Sequence, residues 1–218
     1  MSKFTFIDLF AGVGGFHFAM QAVGGECVFA SEWDLNAQKT YFANHNIMPY
    51  GDITLNETKE KIPQNFDILC AGFPCQAFSV AGYQKGFSDS RGTLFFDIEK
   101  IIEKHRPKVV FLENVKNLVS HDKGNTFKVI LDILENKLNY QVYYQVMNTA
   151  EYANIPQNRE RIFIVAFDKN YFNVIDFEFP NKIPLTKTIH DILDKQKQGE
   201  SFYYKNNPCN NEIYKFVS

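Results

Sequence analysis

The sequence predicts an α/β fold: a doubly wound, mostly parallel sheet carrying an antiparallel strand at one edge. Three observations predict it. Short β-rich runs alternate with helical patterns as far as about residue 167. A glycine-rich turn, Gly12-Val13-Gly14-Gly15, separates the first strand from the first helix. The last two strand-like runs have no long helix between them, which makes them antiparallel neighbours. Repeated strand–helix–strand units impose right-handed crossovers and hence a parallel sheet, and an antiparallel edge on such a sheet is common.

Taken in order, Lys3 to Asp8 reads as the first strand, and Gly12 to Val23 opens and forms a helix. Glu26 to Ser31 is the second strand, followed by a helix from about Leu35 to Asn44 and a short strand near Tyr50 to Ile53. The apolar run Phe66 to Ala71 is a buried strand, and a long loop containing Gly and Ser leads from it to Arg91. Thr93 to His105 has helical periodicity, with Leu94, Ile98, Ile101 and Ile102 on one side, and Pro107 stops it. Lys108 to Glu113 is a strand and Thr126 to Lys137 a helix. Tyr140 to Asn148 and Arg161 to Ala166 are the antiparallel pair. The alternation stops after Phe167, where Asn, Lys, Tyr and Gln rise. Asn206-Asn207-Pro208-Cys209-Asn210-Asn211 is a turn-forming cluster, and Glu212 to Val217 is weakly helical. Residues 1–167 are therefore expected to form one domain, with 168–218 a connection toward something else.

Composition narrows the function classes. The 218 residues suffice for one domain with a sizeable core. Cys27, Cys70, Cys75 and Cys209 form no C-x-x-C pair, which argues against a disulfide framework or zinc site and for a reducing compartment. Cys27 and Cys70 lie inside apolar runs and read as core. With no secretory signal pattern and no apolar run long enough for a bilayer, a cytoplasmic, membrane-free protein without a metal is expected. The net charge is -2, whereas a free-standing nucleic-acid binder is usually basic on at least one face. Of the four arginines, Arg91, Arg159 and Arg161 sit in or beside candidate site segments and Arg106 sits at a helix end. Such clustering points to anion recognition at one place, with surface salt bridging as the plain alternative.

The chemistry centres on Gly72-Phe73-Pro74-Cys75-Gln76, on the loop leaving a buried strand. A thiol there is poised as a nucleophile, provided its surroundings favour the thiolate. Glu113 ends another strand and faces the same rim of the sheet; protonated through burial, it would donate to a ring nitrogen. The glycine turn lies where open α/β sheets bind ligands. Glu32, ending the second strand, suits a ribose diol, Trp33 an adenosyl group, and Asp52 an adenine amino group. The dinucleotide fingerprint wants a third glycine where His17 stands, so an adenosine cofactor without phosphates, such as S-adenosylmethionine, fits better. The plain readings are a tight turn, a core Trp, a solvated Asp and a helix N-terminal acid.

These residues carry a family resemblance. The stretches Asp8 to Gly15, Glu32-Trp33-Asp34, Gly51-Asp52-Ile53, Gly72 to Ser79, Asp89 to Phe95, Glu113-Asn114-Val115 and Gln157 to Arg161 occur in the order and spacing of the cytosine-5 DNA methyltransferases. The chain most resembles the bacterial HhaI-type modification enzymes, from Phe4 to about Phe167. The resemblance implies the S-adenosylmethionine-dependent methyltransferase fold and methyl transfer to C5 of a cytosine flipped from duplex DNA, within a restriction-modification system. It implies Cys75 as the nucleophile at C6 and Glu113 as the acid at N3. Arg161 would contact the pyrimidine O2, with Arg159 supporting. Phe10, Gly12, Gly14, Gly15, Glu32, Trp33, Asp52, Ile53, Pro74 and Leu94 would bind the cofactor. Gln76, Ser79 and Arg91, on a loop that closes over the base, would contact DNA.

The resemblance ends earlier than the family's chains do. A target-recognition domain and two final motifs are expected beyond it, consistent with the acidic balance. A split subunit with a partner polypeptide, an inactive cofactor-binding truncation and a cut-down chain all suit that. An RNA cytosine-5 methyltransferase would use the same residues, whereas a nicotinamide oxidoreductase would share the turn and Glu32 but have no use for Cys75 with Glu113.

Overall fold

A computed structural model describes residues 4–74, 94–194 and 196. Six strands form one sheet in the order β2-β1-β3-β4-β6-β5. The strands are β1 (Phe4–Leu9), β2 (Gly25–Ser31), β3 (Ile68–Gly72), β4 (Val109–Val115), β5 (Tyr140–Asn148) and β6 (Glu160–Asp168). The helices are α1 (Gly15–Ala22), α2 (Leu35–His45), α3 (Asn56–Lys59), α4 (Leu94–His105), α5 (Asn125–Asp132, running into a π-helical turn, Ile133–Lys137) and α6 (Thr149–Tyr152). The pairs β1–β2, β1–β3 and β3–β4 are parallel, and β6 is antiparallel to both β4 and β5. The expected antiparallel edge is present, and the reversed strand proves to be β6, one place in from the edge.

Strand alternation divides the core. Ile7 and Leu9 of β1, Leu69 and Ala71 of β3, and Val110 and Leu112 of β4 pack in one cluster with Phe95, Ile98, Ile101 and Ile102 of α4 and Phe127 and Ile130 of α5. The alternate positions Phe6 and Cys70 pack with Met20 and Phe16 of α1. Strands buried on both faces this way are what a sheet covered by helices on each side requires. Helix ends follow local chemistry. Asp34 caps α2 by accepting from the Asn36 and Ala37 backbone N–H groups, and Asn46, at φ 55°, closes its other end.

Two sequence expectations shift. The strand near Tyr50 to Ile53 shrinks to an isolated bridge, Ser31 to Tyr50, because Asp52 accepts from the Thr54 N–H and turns the chain away. The first helix starts at Gly15 rather than Gly12, since the turn residues Gly12 (φ 55°) and Gly14 (φ 94°) are left-handed. Arg106, at the helix end, follows the salt-bridge reading: its guanidinium meets Asp168 at 2.6 Å and lies 4.7 Å over the Tyr140 ring. Beyond Asp168 the chain continues with little regular structure, but it does not leave the domain at once. Phe172 and Phe177 pack on Phe167, and the Ile183 N–H donates to the Glu151 carbonyl.

Candidate active site

The carboxyl ends of β1 to β4 open on one cavity of about 610 Å³, within the usual range for small-ligand sites. Its two ends differ in chemistry. At one end, Glu32 is 8% exposed and its carboxylate is held by main chain: Oε2 accepts from Gly12 N–H and Oε1 from Asp34 N–H, each at 2.8 Å. Asp52 and Thr54 lie beside it, with Phe10, Trp33, Ile53 and Leu94 as apolar walls. The buried Ser31 hydroxyl has no partner among the described residues and lines the same space. A buried hydroxyl without a protein partner, lining the same cavity as two carboxylates, suits a polar ligand.

At the other end, Glu113 Oε1 pairs with Arg161 Nε at 2.8 Å. Topology explains the meeting. Gly72 is in register with Glu113, and Val115 with Arg161. Because β6 runs backwards, its first residues arrive at the rim where β3 and β4 end. Arg161 is then the diagonal neighbour of Glu113 on the same face. Arg159 also lines this end. Asn114, buried beside Glu113, donates its amide N–H to the Phe73 carbonyl at 2.8 Å. That bond ties β4 to Phe73-Pro74, the residues leading to position 75.

Comparison with known proteins decides the family. The model of the C-5 cytosine-specific DNA methylases matches residues 4–216. The chain belongs to this family. It is 56% identical to the type II methyltransferase M.HpaII of Haemophilus parainfluenzae over 201 residues, covering 92% of this chain and 56% of that protein. It is 52% identical to M.HhaI of Haemophilus parahaemolyticus, covering 88% of this chain and 58% of that one. The chain thus spans little more than half the length of these curated relatives. The structure of S. pombe Dnmt2 methyltransferase shares the fold, with a TM-score of 0.73, 19% identity, and coverage of 98% of this chain and 67% of that one.

In the cavity, Phe10, Glu32, Trp33, Asp52, Ile53, Pro74, Leu94, Glu113, Arg159 and Arg161 come together as lining residues. Gly12, Gly14 and Gly15 do not line it. The Gly12 N–H is spent on Glu32, so the turn shapes the wall indirectly. Phe10 lines the cavity at φ 55°, a left-handed conformation that costs a non-glycine residue about 1–2 kcal/mol and needs surroundings that enforce it. Glu113 departs from expectation. It is neither deeply buried nor isolated, since its side chain is 25% exposed and paired with a guanidinium. Cys75, Gln76, Ser79 and Arg91 lie outside the described residues. Among the described residues no helix is long and apolar enough to cross a membrane, and no His, Cys, Asp or Glu cluster is set to hold a metal.

Sequence reasoning gave no separate role to Ser31, Thr54, Phe73 or Asn114. Asn114 could have been found, since it stands next to Glu113. A second omission is the ion pair between Lys59 Nζ and Asp97 Oδ1 at 2.6 Å. Lys59 also donates to the Thr54 carbonyl, joining the Asp52-to-Thr54 wall to α4. The third is a buried polar group behind the glycine turn. Burial pushes the Asp8 carboxyl well up, opposed by the nearby His17 N–H and reinforced by Glu32. Burial, with His45 adding, lowers His17 to about 4. Burial also raises Cys27 to about 11 and Cys70 well above an ordinary thiol. At neutral pH His17, Cys27 and Cys70 are thereby held neutral, so these two cysteines are core residues and not nucleophiles.

Proposed function

We propose that this chain is the catalytic and cofactor-binding part of a bacterial type II DNA cytosine-5 methyltransferase, acting in a restriction-modification system. It would transfer a methyl group from S-adenosyl-L-methionine to C5 of a cytosine flipped out of duplex DNA. The carrying observation is the pairing of Glu113 with Arg161 at one end of a cavity whose other end holds Glu32 and Asp52. Residues 1–167 are assigned to this part and 168–218 to the connection toward a target-recognition region. That region would come from further polypeptide, in the same chain or as a second subunit.

The cavity residues fit S-adenosyl-L-methionine on their own chemistry. Glu32 keeps lone pairs for a ribose diol after satisfying Gly12 and Asp34, Asp52 suits an amino group, and Trp33 offers a flat apolar face. When bound, the cofactor supplies an electrophilic methyl on a sulfonium. Cytosine C5 is a weak nucleophile. A Cys75 thiolate bonding to C6 would push the C5–C6 electron pair to C5, which then takes the methyl. Glu113 would hold or protonate N3, drawing charge from the ring, with Arg161 at the pyrimidine O2 and Arg159 supporting it. Loss of the C5 proton returns an electron pair to the ring and expels the Cys75 thiolate. The reaction occurs only on an unstacked base, because C6 is inaccessible inside a duplex. Gln76, Ser79 and Arg91 are proposed to contact the DNA backbone.

The test uses labelled methyl donor and two acceptors. Duplex DNA should accept the label at cytosine C5, and the Cys75→Ser variant should transfer none while binding S-adenosyl-L-homocysteine normally. Label entering tRNA and not DNA would favour the RNA reading, and ordinary methylation by Cys75→Ser would end both.

A further inference from the structure

Behind the glycine turn, the last turn of α2 makes three separate contacts with the segment that follows β1. Asn44 Nδ2 donates to the Val13 carbonyl at 3.0 Å. The His45 ring lies against Val13 and Gly14, without a well-formed hydrogen bond from either ring nitrogen. A methyl group added at Gly14 would overlap His45 Nε2. Tyr41, fully buried, shares a 2.7 Å hydrogen bond with His17 Nδ1, and His17 in turn stacks on His45 at 3.8 Å with the rings nearly parallel. On the other side of the turn, Gly12 N–H holds Glu32, Ala11 N–H holds the Ser31 carbonyl, and Phe10 stands in its left-handed conformation. The turn is therefore gripped between α2 and the cavity wall. A strained backbone of this kind persists only where both sides fix it.

We propose that Tyr41, Asn44 and His45 are positioning residues for the cofactor. They hold the Phe10-to-Gly15 turn in the shape that aims Phe10 and Glu32 into the cavity. None of the three touches that cavity, so their effect passes through the turn. The inference rests on the reading of this cavity as an adenosyl cofactor site, and the experiment separates the two.

Trp33 is the chain's one tryptophan and lines the cavity, so its fluorescence reports occupancy directly. Titration of the full chain with S-adenosyl-L-homocysteine gives a dissociation constant for wild type, Asn44→Ala and His45→Ala. Each variant should bind about five- to tenfold more weakly, as expected for losing one well-placed interaction. Hydrogen exchange on the ligand-free chain supplies a second readout. The Gly12 and Gly14 amides should exchange about tenfold faster in each variant, with the β5 and β6 amides unchanged. Adding Gly14→Ala should cost less affinity in the His45→Ala background than in wild type, because the overlapping ring is gone. Unchanged affinity together with unchanged exchange at Gly12 and Gly14 would overturn the inference. So would faster exchange spread equally over β5 and β6, which marks plain destabilisation. Failure of wild type to bind would overturn the cofactor reading instead, leaving the exchange data to judge the grip.

Discussion

The two ends of the cavity are built by different means. At the Glu32 end the acid is nearly buried, and both of its oxygens are bound to backbone N–H groups. At the Glu113 end the acid is a quarter exposed and bound to another side chain, Arg161. A group fixed by main chain cannot move without moving the turn, which suits a ligand of constant shape. A side-chain pair can part and re-form around an incoming base, which suits a substrate that arrives from DNA and leaves again. One end is a mould and the other a clasp.

Substitutions can break that contrast. Cys75→Ser has the largest expected effect: transfer should fall by about a thousandfold or more, with cofactor affinity unchanged. Glu113→Gln should lower the rate by roughly 100-fold while leaving S-adenosyl-L-homocysteine binding within about twofold, as single-turnover assays and titration would reveal. Glu32→Ala should do the reverse. Affinity should weaken by roughly 100-fold, since the ligand loses its acceptor and Gly12 and Asp34 lose theirs. Equal effects of the last two variants on affinity would erase the distinction between the ends. Asn114→Ala should cost about 1–3 kcal/mol in denaturant unfolding, because the buried Phe73 carbonyl loses its donor.

The smallest expected effect sharpens the account of the turn. His17 is held neutral in the fold, with its value lowered to about 4. The unfolded chain takes up that proton at about pH 6.5, so the contribution is full above 6.5 and is lost as pH falls toward 4. The groups packed around it are Asp8, Tyr41, His45 and the Phe6 ring. Thermal melting should drop more gently through this window in His17→Gln than in wild type.

Much of this was legible in the sequence. Strand ends could be read from apolar runs stopping at Ser31, Ala71 and Glu113, and the polar residues at those ends became the cavity. What could not be read depends on contacts between distant side chains. Asn44 and His45 look like any polar helix terminus until the fold brings them to Val13 and Gly14. Tyr50 to Ile53 stands where the alternation calls for a further strand, yet the hydrogen bond at Asp52 bends it after one bridge. The position of β6 inside the edge is invisible locally, though it alone brings Arg161 to Glu113.

The most direct measurement is the destination of a labelled methyl group. The chain, with polypeptide completing the length of its relatives, is mixed with labelled S-adenosyl-L-methionine and duplex DNA, and the nucleosides are resolved. The account predicts label in 5-methylcytosine with wild type and none with Cys75→Ser. Label at any other atom, or in cytosine regardless of Cys75, would contradict it.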